Sequence, residues 1–236
     1  MPGIFSVAHE FKSFADYLGK EFPEKVESIG ETDNGVEGWL KIEFFLWLTN
    51  YRKEKLLPRD DEDRDVGLEY DVLLDQRQRH PVKRETKRCD LYIRDSSRAS
   101  SFHYVELKVP FANQNRGKVL ASAACDFWYM KRIRRACEQP SSGNVIVFGV
   151  GFDDEAEWER CMQSLQKESD SVNEAVLAEG PSVLGSKRNL RWCVLTFAYP
   201  PGRQDPRGCP RRRRPSPPSA LRPAPAAFAG TPHRPA

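Results

Sequence analysis

Two carboxylates and one ammonium stand in segments that otherwise read as strands. Asp90 lies within ETKRCDLYI (residues 85–93), and Glu106 and Lys108 lie within FHYVELKV (residues 102–109). Side chains on a strand alternate between faces. Glu106 and Lys108 therefore share a face with Phe102 and Tyr104, while His103, Val105, Leu107 and Val109 face the other way. Asp90 shares a face with Tyr92 on the neighbouring strand. If the two strands form a hairpin across the serine-rich turn, Asp90 and Glu106 converge, with Lys108 beside them.

Two converging carboxylates repel one another unless positive charge lies between them, and a hard divalent cation suits that role. Mg²⁺ prefers oxygen ligands, keeps several waters, and commonly sits on one or two carboxylates plus a substrate phosphate. Such an ion lowers the pKa of a bound water and neutralises charge on a phosphoryl group. A lysine on the same strand can position that water or offset developing negative charge. A third acid, Glu43, sits on an upstream helical segment among Trp39, Leu40, Leu46 and Trp47, with no cation at helical spacing. Lys41 differs, having Glu37 four residues earlier. An ionised Glu on so apolar a face is costly to bury alone, so its partner must come from elsewhere in the fold.

Asp90, fifteen intervening residues, Glu106-Leu107-Lys108 and an upstream helical Glu43 together resemble the PD-(D/E)XK nuclease superfamily. Over residues 36–150 the expected order of helix, three strands, helix and strand is similar to that family's αβββαβ core. The resemblance implies a restriction-endonuclease-like fold with a mixed central sheet flanked by helices. It implies that Asp90 and Glu106 hold Mg²⁺ (or Mn²⁺), with Glu43 as an auxiliary acid near the metal and Lys108 assisting the attacking water. The implied activity is metal-dependent hydrolysis of phosphodiester bonds, chiefly of DNA. Cys89 stands where the family name has Pro. Gln114 and Tyr129 correspond only loosely to the Gln and Tyr of some exonuclease branches, and Asp126 precedes Lys131 and Arg132 on the following helix.

The competing interpretation of Asp90, Glu106 and Lys108 is a cross-strand ion pair on a solvated sheet face. A nuclease-like fold can also bind nucleic acid, or a protein partner, without turnover. Arg77, Arg79, Lys83, Arg84, Lys87 and Arg88 crowd one twelve-residue stretch that reads as a hairpin loop and its exit, a candidate grip for phosphates. Lys131, Arg132, Arg134 and Arg135 end a helical segment, where cations are favoured anyway. Glu69 and Asp71 fit the solvent face of an edge strand, the alternative being one more acid near the site. His103 belongs in the core, His80 in a loop, and Tyr92 and Tyr104 in packing.

The elements that position these residues follow from periodicity. Helices are expected over residues 8–20, with Phe11, Phe14 and Leu18 on one stripe, over 36–50, over 117–137, and from Asp153 and Asp154 through 167, with Trp158, Met162 and Leu165 inward. Strands are expected at 66–74, at the two segments above, at 144–152 and at 191–199. The acidic run PRDDEDRD reads as a solvated loop.

The 236 residues suffice for one domain with a real core, expected over 1–199. Residues 200–236 hold eleven Pro, and eight Arg against one Asp, a net +7 that leaves −4 for residues 1–199 out of a total of +3. Such a Pro/Arg/Ala-rich tail reads as disordered. An acidic folded part does not advertise nucleic-acid binding through its total charge, so that function must rest on local patches. Six cysteines without a CxxC pair argue against zinc, and no apolar run reaches membrane-spanning length. The expectation is a cytoplasmic protein that acts on nucleic acid away from membranes, with a protein partner or homodimer left open.

Overall fold

A computed structural model of the chain describes residues 5–31, 36–51, 66–74, 86–95, 101–112, 114–133, 140–152, 154–169, 175–184 and 190–199. The basic residues Arg77, Arg79, Lys83, Arg84, Arg134 and Arg135 lie outside them. So do His80, Asp153, the acidic run at 58–65 and the tail at 200–236.

Helices α1 (Val7–Glu21), α2 (Pro23–Glu31) and α3 (Val36–Leu46) come first, and α3 continues into a π-helical turn, Trp47–Tyr51. The Ser6 hydroxyl caps α1 by accepting the His9 N–H. Strands β1 (Val66–Leu73), β2 (Thr86–Asp95) and β3 (Ser101–Lys108) follow, then α4 (Arg116–Met130), β4 (Pro140–Gly149), α5 (Glu155–Ser169), β5 (Ala175–Leu184) and β6 (Leu190–Ala198). The six strands make one sheet in the order β1-β2-β3-β4-β6-β5. Among the described strands, only β3 and β4 pair in parallel, joined through α4, so the sheet is mixed.

Helices cover both faces. On one, Phe11, Phe14 and Leu18 of α1 and Leu40 and Phe44 of α3 pack with Val105, Leu107, Ile146, Phe148 and Trp192. On the other, Ala123, Phe127 and Met130 of α4 and Trp158, Met162 and Leu165 of α5 pack with Tyr104, Val145, Val147 and Leu195. β3 and β4 are buried on both faces, as a parallel pair between helical layers requires. Gly143 permits the close approach of α4, since a Cβ there would stand 2.6 Å from Met130 Cβ. The Tyr199 hydroxyl donates to the Met130 carbonyl at the end of the same helix.

Three elements depart from the sequence expectation. The pattern does not signal α2 or β5, and α4 ends at Met130 rather than running to residue 137. Ile133 instead makes an isolated antiparallel bridge to Leu74. Among the described residues, no helix is long and apolar enough to cross a membrane.

Candidate active site

The site forms where β2 and β3 part company. Their antiparallel ladder runs from Asp95–Ser101 to Leu91–Val105, and the next pair in register would be Asp90 with Glu106. Beyond Leu91–Val105, the Leu107 N–H is taken by the Asp90 carboxylate, whose Oδ2 accepts it at 2.8 Å. Asp90 is thereby fixed against the strand that carries Glu106 and Lys108.

A local exchange of faces shapes what surrounds it. Leu68 and Leu91 pack on the α1–α3 side of the sheet, while Tyr70 and Cys89, two residues away on the same strands, pack on the α4–α5 side. Regular alternation would keep each pair on one face. The exchange falls at Glu69 and Asp90, and Glu69 has the left-handed φ of 53° that a regular strand does not use. Beyond the exchange Lys87, in register with Val72, turns toward α4. Asp90 stays at the crossover, within reach of α3. The expected placement of Asp90 on the Tyr92 face therefore holds only up to this kink.

The charged groups form a connected network. Lys41 of α3 pairs with Asp90 Oδ1 at 3.2 Å and with Glu69. Lys87 lies 3.0 Å from Glu106 Oε1 and 2.9 Å from Asp126 Oδ1. Lys108 lies 3.2 Å from Asp126 Oδ2, 3.5 Å from Glu106 Oε2 and 3.9 Å from Glu37 Oε1. Glu106 is 3% exposed and Asp126 7%. Close as Lys87 is, Glu106 Oε1 receives no aligned hydrogen bond among the described residues.

Burial sets the electrostatics. It pushes the Glu106 carboxyl up to about 8, with Asp90 and Asp126 adding to the rise and Lys87 opposing it. Burial alone would discharge Lys108, but Asp126, Glu106 and Glu37 outweigh it and hold the ammonium above its ordinary range. Lys87 is treated likewise by Glu106 and Asp126, and Lys41 by Glu69 and Asp90. Glu37 is raised by burial despite Lys108. All three lysines therefore stand as fixed positive charges at neutral pH.

Of the four residues expected at the site, the structure brings together Asp90, Glu106 and Lys108 and leaves Glu43 out. Glu43 Oε1 pairs with Lys25 of α2 at 3.1 Å, the partner from elsewhere in the fold that its apolar neighbours demand. The acid that α3 does send to the site is Glu37. Six residues at 3.6 per turn set Glu37 and Glu43 about 120° apart around the helix. Of the expected phosphate grip, Lys87 points into the site, and Arg88 pairs with Asp71 at 3.5 Å on the exposed edge strand. Lys131 lies 4.9 Å over the Phe127 ring and Arg132 4.5 Å over Trp128. His103 is buried, with Nδ1 2.7 Å from Ser142 Oγ, and Tyr104 is fully packed. Sequence reasoning misses Lys41 and Glu37 as site members, places Lys87 in a phosphate grip rather than between two acids, and notes Asp126 on its helix without a role. The Glu37–Lys41 spacing is the one local signal.

The donor set is hard oxygen and suits Mg²⁺ or Mn²⁺ rather than a softer metal. Among the described residues, no three His, Cys, Asp or Glu side chains converge to hold a metal by themselves. Two carboxylates are enough for an ion that fills its shell with water and phosphate, and the unaligned, buried Glu106 Oε1 is an oxygen such an ion would satisfy. Comparison with family models, with curated proteins and with solved structures gives no match to this chain.

Proposed function

We propose that the protein is a metal-dependent nuclease of the PD-(D/E)XK type, hydrolysing phosphodiester bonds, with DNA as the first substrate to test. One observation carries the reading: Asp90, held on the Leu107 N–H, stands beside Glu106 and Lys108 at the open end of β2 and β3. The order α3, β1, β2, β3, α4, β4 supports it, being that of the restriction-endonuclease-like core. Asp90 and Glu106 would hold Mg²⁺, which supplies an acidified water and charge neutralisation at phosphorus. Lys108, kept cationic by Asp126 and Glu106, acts as a donor that orients water or meets developing negative charge. Asp126 keeps that ammonium in place.

The test is cleavage of linear and circular duplex, single-stranded DNA and RNA with Mg²⁺, Mn²⁺ or EDTA, beside Asp90→Ala and Glu106→Ala. Products that require metal and vanish in both variants support the reading. Metal-independent products, or cleavage that survives both changes, would sink it.

A second reading rests on the three lysines, which already neutralise the acids from within. Such a site can stand in a nucleic-acid-binding or protein-interaction module without turnover. That reading predicts no products at any metal concentration. If the ligand is nucleic acid, it also predicts salt-dependent binding that persists without Lys108.

A further inference from the structure

Lys87 occupies a position that the proposed chemistry leaves unexplained. Its ammonium lies between Glu106 Oε1 at 3.0 Å and Asp126 Oδ1 at 2.9 Å, two acids drawn from different elements and each more than nine-tenths buried. Burying two carboxylates side by side is costly without a cation. Lys87 supplies that charge from a third element, β2, three residues from the kink at Asp90. It reaches this position only because the faces exchange at Glu69 and Asp90; regular alternation would have turned it away from α4. Its fit is electrostatic and not directional, since Glu106 Oε1 gains a near charge but no aligned hydrogen bond. Its side chain is also 24% exposed to solvent.

We infer that Lys87 is a built-in counter-ion that holds Glu106 and Asp126 together in the metal-free protein and is displaced when a divalent cation binds. This rests on the proposed metal site and adds one residue to it: Lys87, whose ammonium occupies the place beside Glu106 Oε1 that a divalent cation would take. A competing internal charge weakens divalent binding and stabilises the empty protein, so removing it moves the two properties in opposite directions.

The experiment is Mn²⁺ binding by calorimetry, with thermal unfolding in EDTA and in Mn²⁺, on the full chain as wild type, Lys87→Met, Lys87→Gln and Lys87→Arg. The two neutral variants should unfold at lower temperature than wild type in EDTA. They should bind Mn²⁺ roughly tenfold more tightly and recover their loss when it is bound. Lys87→Arg should behave as wild type. If wild type binds Mn²⁺ and the neutral variants bind it equally or more weakly, the inference fails while the metal site stands. If neither wild type nor any variant binds Mn²⁺, the inference and the metal-dependent reading fail together. Should Lys87→Met not fold, Lys87→Gln carries the comparison, and its affinity decides.

Discussion

The Asp90 carboxylate accepts the Leu107 N–H at 2.8 Å, so one side chain both ends the β2–β3 ladder and stands beside Glu106. The two roles separate by mutation. Asp90→Asn keeps an acceptor for Leu107 and should leave stability near that of wild type. Asp90→Ala orphans the N–H and should cost about 1–3 kcal/mol in urea unfolding. Cleavage should be lost in both. Equal stability of the two variants would show that the hydrogen bond contributes nothing to the fold.

Burial raises the Glu106 carboxyl to about 8, and the sign of its effect on stability follows. Where the folded and unfolded forms are both protonated the group costs nothing. As pH rises from the free carboxyl range through about 8, the unfolded form ionises first and the folded state loses ground. Without divalent ions the protein should therefore lose stability across that window and level off above it. Glu106→Gln should flatten the decline. Melting curves between acid and mildly alkaline pH check this, and a stability that climbs through the same interval would contradict the buried state of Glu106.

The two acids of α3 should behave differently. Glu43 meets Lys25 in a partly exposed pair, and Glu43→Gln should change stability by no more than about 0.5 kcal/mol and leave cleavage intact. Glu37 reaches Lys108, and Glu37→Gln should lower the cleavage rate. The reverse ranking would restore Glu43 as the helical acid of the site.

The approach of α4 to the sheet depends on Gly143. Gly143→Ala would press a methyl group against Met130 and should destabilise by about 1–3 kcal/mol. It should also slow cleavage, because Asp126 rides on the same helix. Unchanged unfolding would mean that α4 shifts at little cost.

Much of this site is legible in the amino-acid sequence. Strand alternation and a hairpin suffice to bring Asp90, Glu106 and Lys108 together, and the helix–strand order around them follows from local periodicity. Lys87 is hidden because its placement depends on the kink at Glu69 and Asp90, and a period-two pattern carries no record of a residue with positive φ. Read locally, it is one more cation in a basic stretch. Asp126 is visible on its helix, but its role depends on which face of the sheet α4 covers, a long-range fact. On α3, apolar neighbours draw attention to Glu43, whereas the Glu37–Lys41 pair marks the face that meets the site. α2 and β5 escape for want of strong periodicity. The β5 segment AVLAEGPSVL carries Gly180 and Pro181, which read as a turn, yet it pairs with β6 along the sheet edge.

Lys108 should matter as a fixed charge. Lys108→Ala should lower the cleavage rate by about 10²–10³-fold, a loss typical of removing one donor from a transition state. Lys108→Arg, which keeps charge but not shape, should recover part of it. Full activity in Lys108→Ala would remove it from the chemistry.

A metal-dependent reaction at Asp90 and Glu106 is the central claim, and one measurement reaches it most directly. The rate of DNA cleavage by the full chain would be compared in Mg²⁺ and in EDTA, for wild type and for Asp90→Asn, the variant expected to keep its fold. Cleavage by wild type in Mg²⁺ alone, with Asp90→Asn folded and inactive, is the predicted result. Equal cleavage by the two proteins, or cleavage undiminished by EDTA, would contradict it.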